Sequence, residues 1–264
     1  MIYILFLSFT AIILIIALYQ LQHFIIFRPT FHRTELKEKE FQIIAINTDD
    51  NLLLEGVVYE PTDSTTINGT ILFFAGRSHD VIGIIKKLSI SFPKSRIITF
   101  NYRSYGRSQG TITEKNIFAD ADKIAKLVQK NYGNFYLLGF SIGSAIVCDV
   151  ATKHKNLGVF LVGTFDSLNL LIQHKYNISL NFILKYKFNN IQKVQKIDAK
   201  TYIFATQNDS ITYIENARNL KKYVKNLYEY IELKEVSHNE LIWNNQVINK
   251  INDIIQTDFN IKNI

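Results

Sequence analysis

Gly139-Phe140-Ser141-Ile142-Gly143 sets a serine between two glycines. The residues just before it, 135–138, form a short apolar run, and a helix is predicted from Ile142. Strand, sharp turn and helix in that order are the context in which G-x-S-x-G leaves the serine hydroxyl exposed on a tight turn. The glycines matter because a side chain on either side collides across that turn. The backbone N–H of Ile142 then lies at a helix N-terminus, where it can face the oxygen of a reacting carbonyl. A serine hydroxyl is a weak nucleophile until a base takes its proton; that base is normally a histidine oriented by a carboxylate. The chemistry to look for is acyl transfer, and the chain supplies six histidines and 23 acidic residues from which to complete it.

Around this turn the sequence predicts alternating strands and helices. Residues 41–47 and 52–59 read as two strands joined by the turn residues Asp49-Asp50-Asn51, a hairpin. Short apolar runs at 70–74, 96–100, 135–138, 158–162 and 201–205 read as buried strands, and 228–233 as the last strand. The spacing of Phe118, Ala121, Ile124, Ala125 and Val128 predicts a helix over 117–129, and a closing helix is expected over 241–255. An antiparallel opening followed by strand–helix alternation predicts one α/β domain over 29–264, with a mostly parallel sheet flanked by helices on both faces. Between 166 and 199 the alternation lapses into a segment rich in Leu, Ile, Phe and Tyr, as expected of a small cap lining an apolar pocket.

The element order, the G-F-S-I-G turn and a later Asp and His resemble the α/β-hydrolase superfamily over essentially everything after residue 41. The segment Asn101-Tyr102-Arg103-Ser104-Tyr105-Gly106-Arg107-Ser108-Gln109-Gly110 is similar to the N-Y-R-G-Y-G-x-S-x-G of small, N-terminally anchored hydrolases that include protein depalmitoylases and bacterial relatives; Ser104 stands where that group has Gly. Phe27-Arg28-Pro29 after the apolar N-terminus is similar as well. The resemblance implies a chain order of nucleophile, acid, base. That makes Ser141 the nucleophile, Asp209, after the strand 201–205, the acid, and His238, before the closing helix, the base. Asp209 is also placed to cap the helix that follows it. Asp166, after the preceding strand, is the rival acid. Relatives carry His-Gly-Asn-like residues after the first parallel strand, where this chain has Ala75-Gly76-Arg77-Ser78. The resemblance implies that the amide of Arg77 joins that of Ile142 in an oxyanion hole. The Arg77 side chain is expected in solvent or against an anionic substrate, and His79 at a helix cap or on the surface.

The 264 residues suit one domain, and 47% hydrophobic against 20% charged residues exclude a disordered body. The net charge of +7 comes from scattered lysines and makes no basic stripe interleaved with aromatics, so no nucleic-acid partner is expected. The single cysteine, Cys148, sits among apolar neighbours and reads as a small core residue. No metal-ligand spacing and no nucleotide-binding loop is legible, and the chemistry needs no cofactor.

Residues 1–27 contain no Lys, Arg, Asp or Glu, and as a helix they can span a hydrocarbon core of about 30 Å. No Lys or Arg precedes Arg28, and Tyr19-Gln20-Leu21-Gln22 offers no small-residue cleavage site, so 1–28 reads as a single-pass signal anchor, not a cleaved signal peptide. Arg28, Arg33, Lys37 and Lys39 follow the span and put the body on the cytoplasmic side. The expected function is hydrolysis of an ester or thioester of an acyl group, on a lipid-like molecule or an S-acylated protein. Two alternatives stay open: a peptidase or acyltransferase on the same residues, and an inactive, membrane-tethered interaction protein.

Overall fold

A computed structural model describes residues 2–31, 35–62 and 67–262; Met1 and Arg33, which belong to the anchor reading, lie outside these described residues. The chain opens with the helix α1 (Ile2–Ile26), which at about 1.5 Å per residue is about 37 Å long. Its stretch Phe6–Ile26 is long and apolar enough to cross a membrane, and most of its described apolar side chains, among them Phe6, Phe9, Leu14 and Phe24, are exposed.

The strands are β1 (Phe41–Asn47), β2 (Leu53–Tyr59), β3 (Gly69–Phe74), β4 (Ser95–Phe100), β5 (Tyr136–Phe140), β6 (Gly158–Val162), β7 (Thr201–Thr206) and β8 (Leu227–Leu233). They form one eight-stranded sheet in the order β1-β2-β4-β3-β5-β6-β7-β8. β2 pairs antiparallel with β1 and β4, and every other pair is parallel. Helices cover both faces: α2 (Val81–Ser91) and α9 (Asn245–Lys262) on one, α3 (Glu114–Tyr132) and α4 (Ile142–Ala151) on the other. This is the α/β-hydrolase architecture. Alternating residues separate the two cores: Leu72 and Phe74 pack toward α3 and α4, while Ile71 and Phe73 pack toward α2 and α9.

The helix α3 buries Ala121, Ile124, Ala125 and Val128 as its sequence predicts, but the stripe begins at Ile117, while the expected Phe118 is only half-buried. It runs longer than expected because Thr113 caps its start and Gly133, at φ 77°, ends it. The closing helix starts later than expected. His238–Leu241 forms its own turn, α8, after which Asn244 accepts from the amide of Gln246 and opens α9. Between β6 and β7 lie α5 (Leu168–Tyr176) and α6 (Asn190–Val194), separated by residues without regular structure. The helix α7 (Ile214–Leu220) joins β7 to β8.

Candidate active site

Ser141 follows β5 and begins α4 at φ 55° and ψ −121°, a conformation that costs a non-glycine residue about 1–3 kcal/mol. The packing of α4 over the sheet holds it there. A Cβ on Gly139 would meet the carbonyl oxygen of Gly143 at 2.6 Å, and one on Gly143 would meet that of Phe74 at 2.0 Å. Both glycines are therefore required for α4 to cross so close to β3 and β5. The Ser141 amide donates to Val162 at 2.9 Å. Its Oγ has no hydrogen-bond partner among the described residues and lines a cavity of about 420 Å³.

His238 is 3% exposed and stands at the start of α8. Its Nδ1 is 2.7 Å from Oδ2 of Asp209, which follows β7. Gly163, at φ 58°, passes so close that a Cβ there would lie 3.0 Å from Cε1 of the imidazole. Phe140 packs against the same ring at 5.1 Å between centroids. Ser141 and His238 both meet the Val162–Gly163 strand end, the first through its amide and the second through its ring, with no direct hydrogen bond between them among the described residues; such bonds often tighten only when substrate is bound.

Asp209 is saturated with donors. Oδ1 accepts from the amides of Ile211 and Thr212 at 2.8 and 2.7 Å, and Oδ2 from the Thr212 hydroxyl at 2.6 Å. Burial pushes this carboxyl up, but His238 and Thr212 together outweigh it and hold its pKa below the usual value. Asp166 makes no hydrogen bond to His238 among the described residues. It accepts from the amide of Ser167 and from the side chains of Asn216 and Asn219, and its carbonyl accepts from the amides of Asn190 and Ile191. It ties the segment after β6 to α6 and α7.

The amides of Arg77 and Ile142 donate to no other group among the described residues, and both residues line the cavity beside Ser141. The N-Y-R-S-Y-G segment braces the loop that carries Arg77. The Tyr102 hydroxyl donates to the carbonyl of Ala75 at 2.7 Å and the Tyr105 hydroxyl to that of Arg77 at 2.6 Å. Ser104 has φ 70°, the left-handed conformation for which glycine is suited, and its hydroxyl donates to Gly110.

The Arg77 side chain is half-buried, and its Nη1 donates to the carbonyl of Ile25 at 2.8 Å, capping the end of α1. One expectation is corrected. His79 caps no helix, since Asp80 caps α2 through its carboxylate. Its ring packs on Phe140 at 5.6 Å instead, and burial, then the nearby His238, lowers its pKa. Thr212 is a site residue that the sequence reading missed; its three-residue spacing from Asp209 is the signal that could have found it. Cys148 is fully buried, and burial pushes its thiol up to about 12.

Comparison with known proteins fits this fold. No protein-family model matches the chain. It is 27% identical to an uncharacterized protein of Acanthamoeba polyphaga mimivirus, over 80% of this chain and 83% of that one. It is 22% identical to the human alpha/beta hydrolase domain-containing protein 17B, over 72% and 67%. An esterase of Pyrococcus furiosus superposes with a TM-score of 0.65 at 15% identity, covering 87% of this chain and 98% of the esterase. The α/β hydrolase GrgF of Penicillium gives a TM-score of 0.66 at 13% identity, over 82% and 98%. The chain has the α/β-hydrolase fold.

Proposed function

We propose that the chain is a membrane-anchored serine hydrolase that cleaves an acyl ester or thioester through an acyl-serine intermediate. The observation that carries this reading is the strained Ser141, open to an apolar cavity beside a buried imidazole that a carboxylate holds at 2.7 Å. Asp209 accepts the Nδ1 proton of His238, leaving Nε2 free to take the proton of Ser141 as Oγ adds to the substrate carbonyl carbon. The oxyanion that forms is held by the amides of Ile142 and Arg77. Collapse of the intermediate breaks the carbonyl bond to the leaving oxygen or sulfur, and His238 returns the proton to it. Water, deprotonated by the same imidazole, then attacks the acyl-serine and frees the acid and Ser141.

The substrate reading rests on the cavity lining. Phe165, Leu168, Leu171, Ile183, Leu184 and Phe188 surround the approach to Ser141, so an alkyl chain is its natural occupant, on a lipid-like ester or an S-acylated protein at the membrane. The segment 166–199 serves as the cap. The helix α1 serves as the anchor, and Arg28, Lys37 and Lys39 favour a cytoplasmic body. Similarity to proteins described as hydrolases and esterases supports the same chemistry. The test is labelling of the purified full-length protein by a fluorophosphonate, with Ser141→Ala alongside. Labelling is expected in the wild type and absent from the variant. A folded wild type that takes no label would refute the reading, and product analysis separates hydrolysis from acyl transfer to another acceptor.

A further inference from the structure

An anchor needs only to tether, yet the end of α1 is built into the site. Leu18, Gln22, Ile25 and Ile26 share one helical face and line the same cavity as Ser141 and Ile142, a wall about 12 Å long. The docking is specific. The side-chain amide of Gln22 donates to the carbonyl of Ile183 at 2.9 Å and accepts from the amide of Lys185 at 2.8 Å. His23 Nδ1 lies 3.1 Å from the Tyr186 hydroxyl. Phe27 is buried, with its ring 5.1 Å from that of Tyr186. Arg77 caps the Ile25 carbonyl, and the amide of Arg28 donates to the Tyr105 hydroxyl at 3.0 Å. With Gln22 occupied at both ends of its amide, that wall meets the cavity as hydrocarbon.

The rim points the same way. Beside the docked end of α1, the segment between β6 and β7 exposes Tyr176, Ile178 and Phe182, the last to 85%. Lys175 and Lys185 flank them, and the Lys185 ammonium lies 5.5 Å from the Tyr19 ring of α1. Apolar tips with amphipathic lysines around them suit a lipid–water boundary. The apolar surface of α1 above Leu18 continues that of the cavity wall without a charged residue between them.

We propose that the last turns of α1 form one wall of the acyl site, so that an acyl chain reaches Ser141 along α1 from the hydrocarbon phase, without passing through water. This rests on the serine-hydrolase and anchor readings above. The substrate is then one whose acyl chain is still held in the bilayer when its carbonyl meets Ser141.

The experiment uses full-length protein in lipid bicelles and an alkyl fluorophosphonate that carries a photoreactive diazirine at the far end of its chain. After Ser141 is labelled and the sample irradiated, cross-links are mapped to peptides. Cross-links to residues 18–26 are expected. Labelled protein whose cross-links all lie elsewhere overturns the proposal, while failure to label Ser141 refutes the underlying hydrolase reading instead. In parallel, Ile25→Trp and Leu18→Trp are expected to lower the ratio of long-chain to short-chain ester turnover by about tenfold or more, as crowding of an apolar pocket does. Phe9→Trp, higher on α1, controls for bulk in the span. A ratio unchanged in both wall variants overturns the proposal as well.

Discussion

Replacing Asp209 by Asn tests how His238 is oriented, and the structure says which way the new amide will turn. Two backbone N–H groups, those of Ile211 and Thr212, point at Oδ1. The one carbonyl oxygen of the asparagine must stay there, which puts its NH2 where Oδ2 now lies, 2.7 Å from Nδ1 of His238. An NH2 group only donates, so Nδ1 becomes the acceptor and the imidazole proton moves to Nε2. Nε2 can then no longer take the proton of Ser141. Loss of the correct tautomer is expected to lower kcat/KM by about 10³–10⁴, or about 4–5.5 kcal/mol of transition-state stabilisation. The assay is hydrolysis of a short p-nitrophenyl ester by full-length protein, with Tm measured on the same preparations. Asp166→Asn is the comparison: its carboxylate holds Ser167, Asn216 and Asn219, so its loss should appear in Tm far more than in kcat/KM. A loss below about tenfold for Asp209→Asn, with Tm retained, would refute the assignment of Asp209 as the orienting acid.

Arg103 is buried between Asp120 and Asp50, with four nitrogen–oxygen contacts of 2.7–2.9 Å. Arg103→Met strands the buried Asp120 carboxylate and is expected to cost about 3–5 kcal/mol in urea unfolding. Gly143→Ala drives a methyl group to 2.0 Å from the Phe74 carbonyl and should cost about 3 kcal/mol, read as a lower Tm. Acid should weaken the fold. Glu232 is held at about 2 by its hydrogen bond to Arg218, and Asp209 is also lowered. As pH falls below about 4, the unfolded chain takes up protons that these groups refuse when folded, so stability present above that pH is lost as their folded values are crossed. Urea midpoints should fall along this limb, and Arg218→Ala should flatten it.

Much of the fold was legible because the five central parallel strands are compact apolar runs and α3 carries a clear stripe. The boundaries that moved, at both ends of α3 and at the start of α9, are set by caps such as Thr113, Gly133 and Asn244, whose effect depends on one side chain or one φ. In the site, the turn at Ser141 could be read because its glycines answer to a local collision. The meeting of Asp209 with His238 follows from where β7 and β8 end, and hence from the fold. Thr212 escaped notice because a threonine in a loop carries no chemistry of its own. The contact of the Arg77 side chain could not be read: its partner, the Ile25 carbonyl, lies 52 residues away and belongs to a helix expected only to tether.

The sheet has two unlike margins. β8 carries Glu229 and Glu232, each in an ion pair, so another strand meets charge there. β1 is Phe-Gln-Ile-Ile-Ala-Ile-Asn, seven residues without charge, proline or glycine, paired on one side only among the described residues, with Ile43 half exposed. Its outer row of N–H and C=O groups is a template on which a second chain can add a strand. Crowded at high concentration, copies of this protein have a route to self-association that bypasses the active site entirely, and a single lysine at Ile43 should close it.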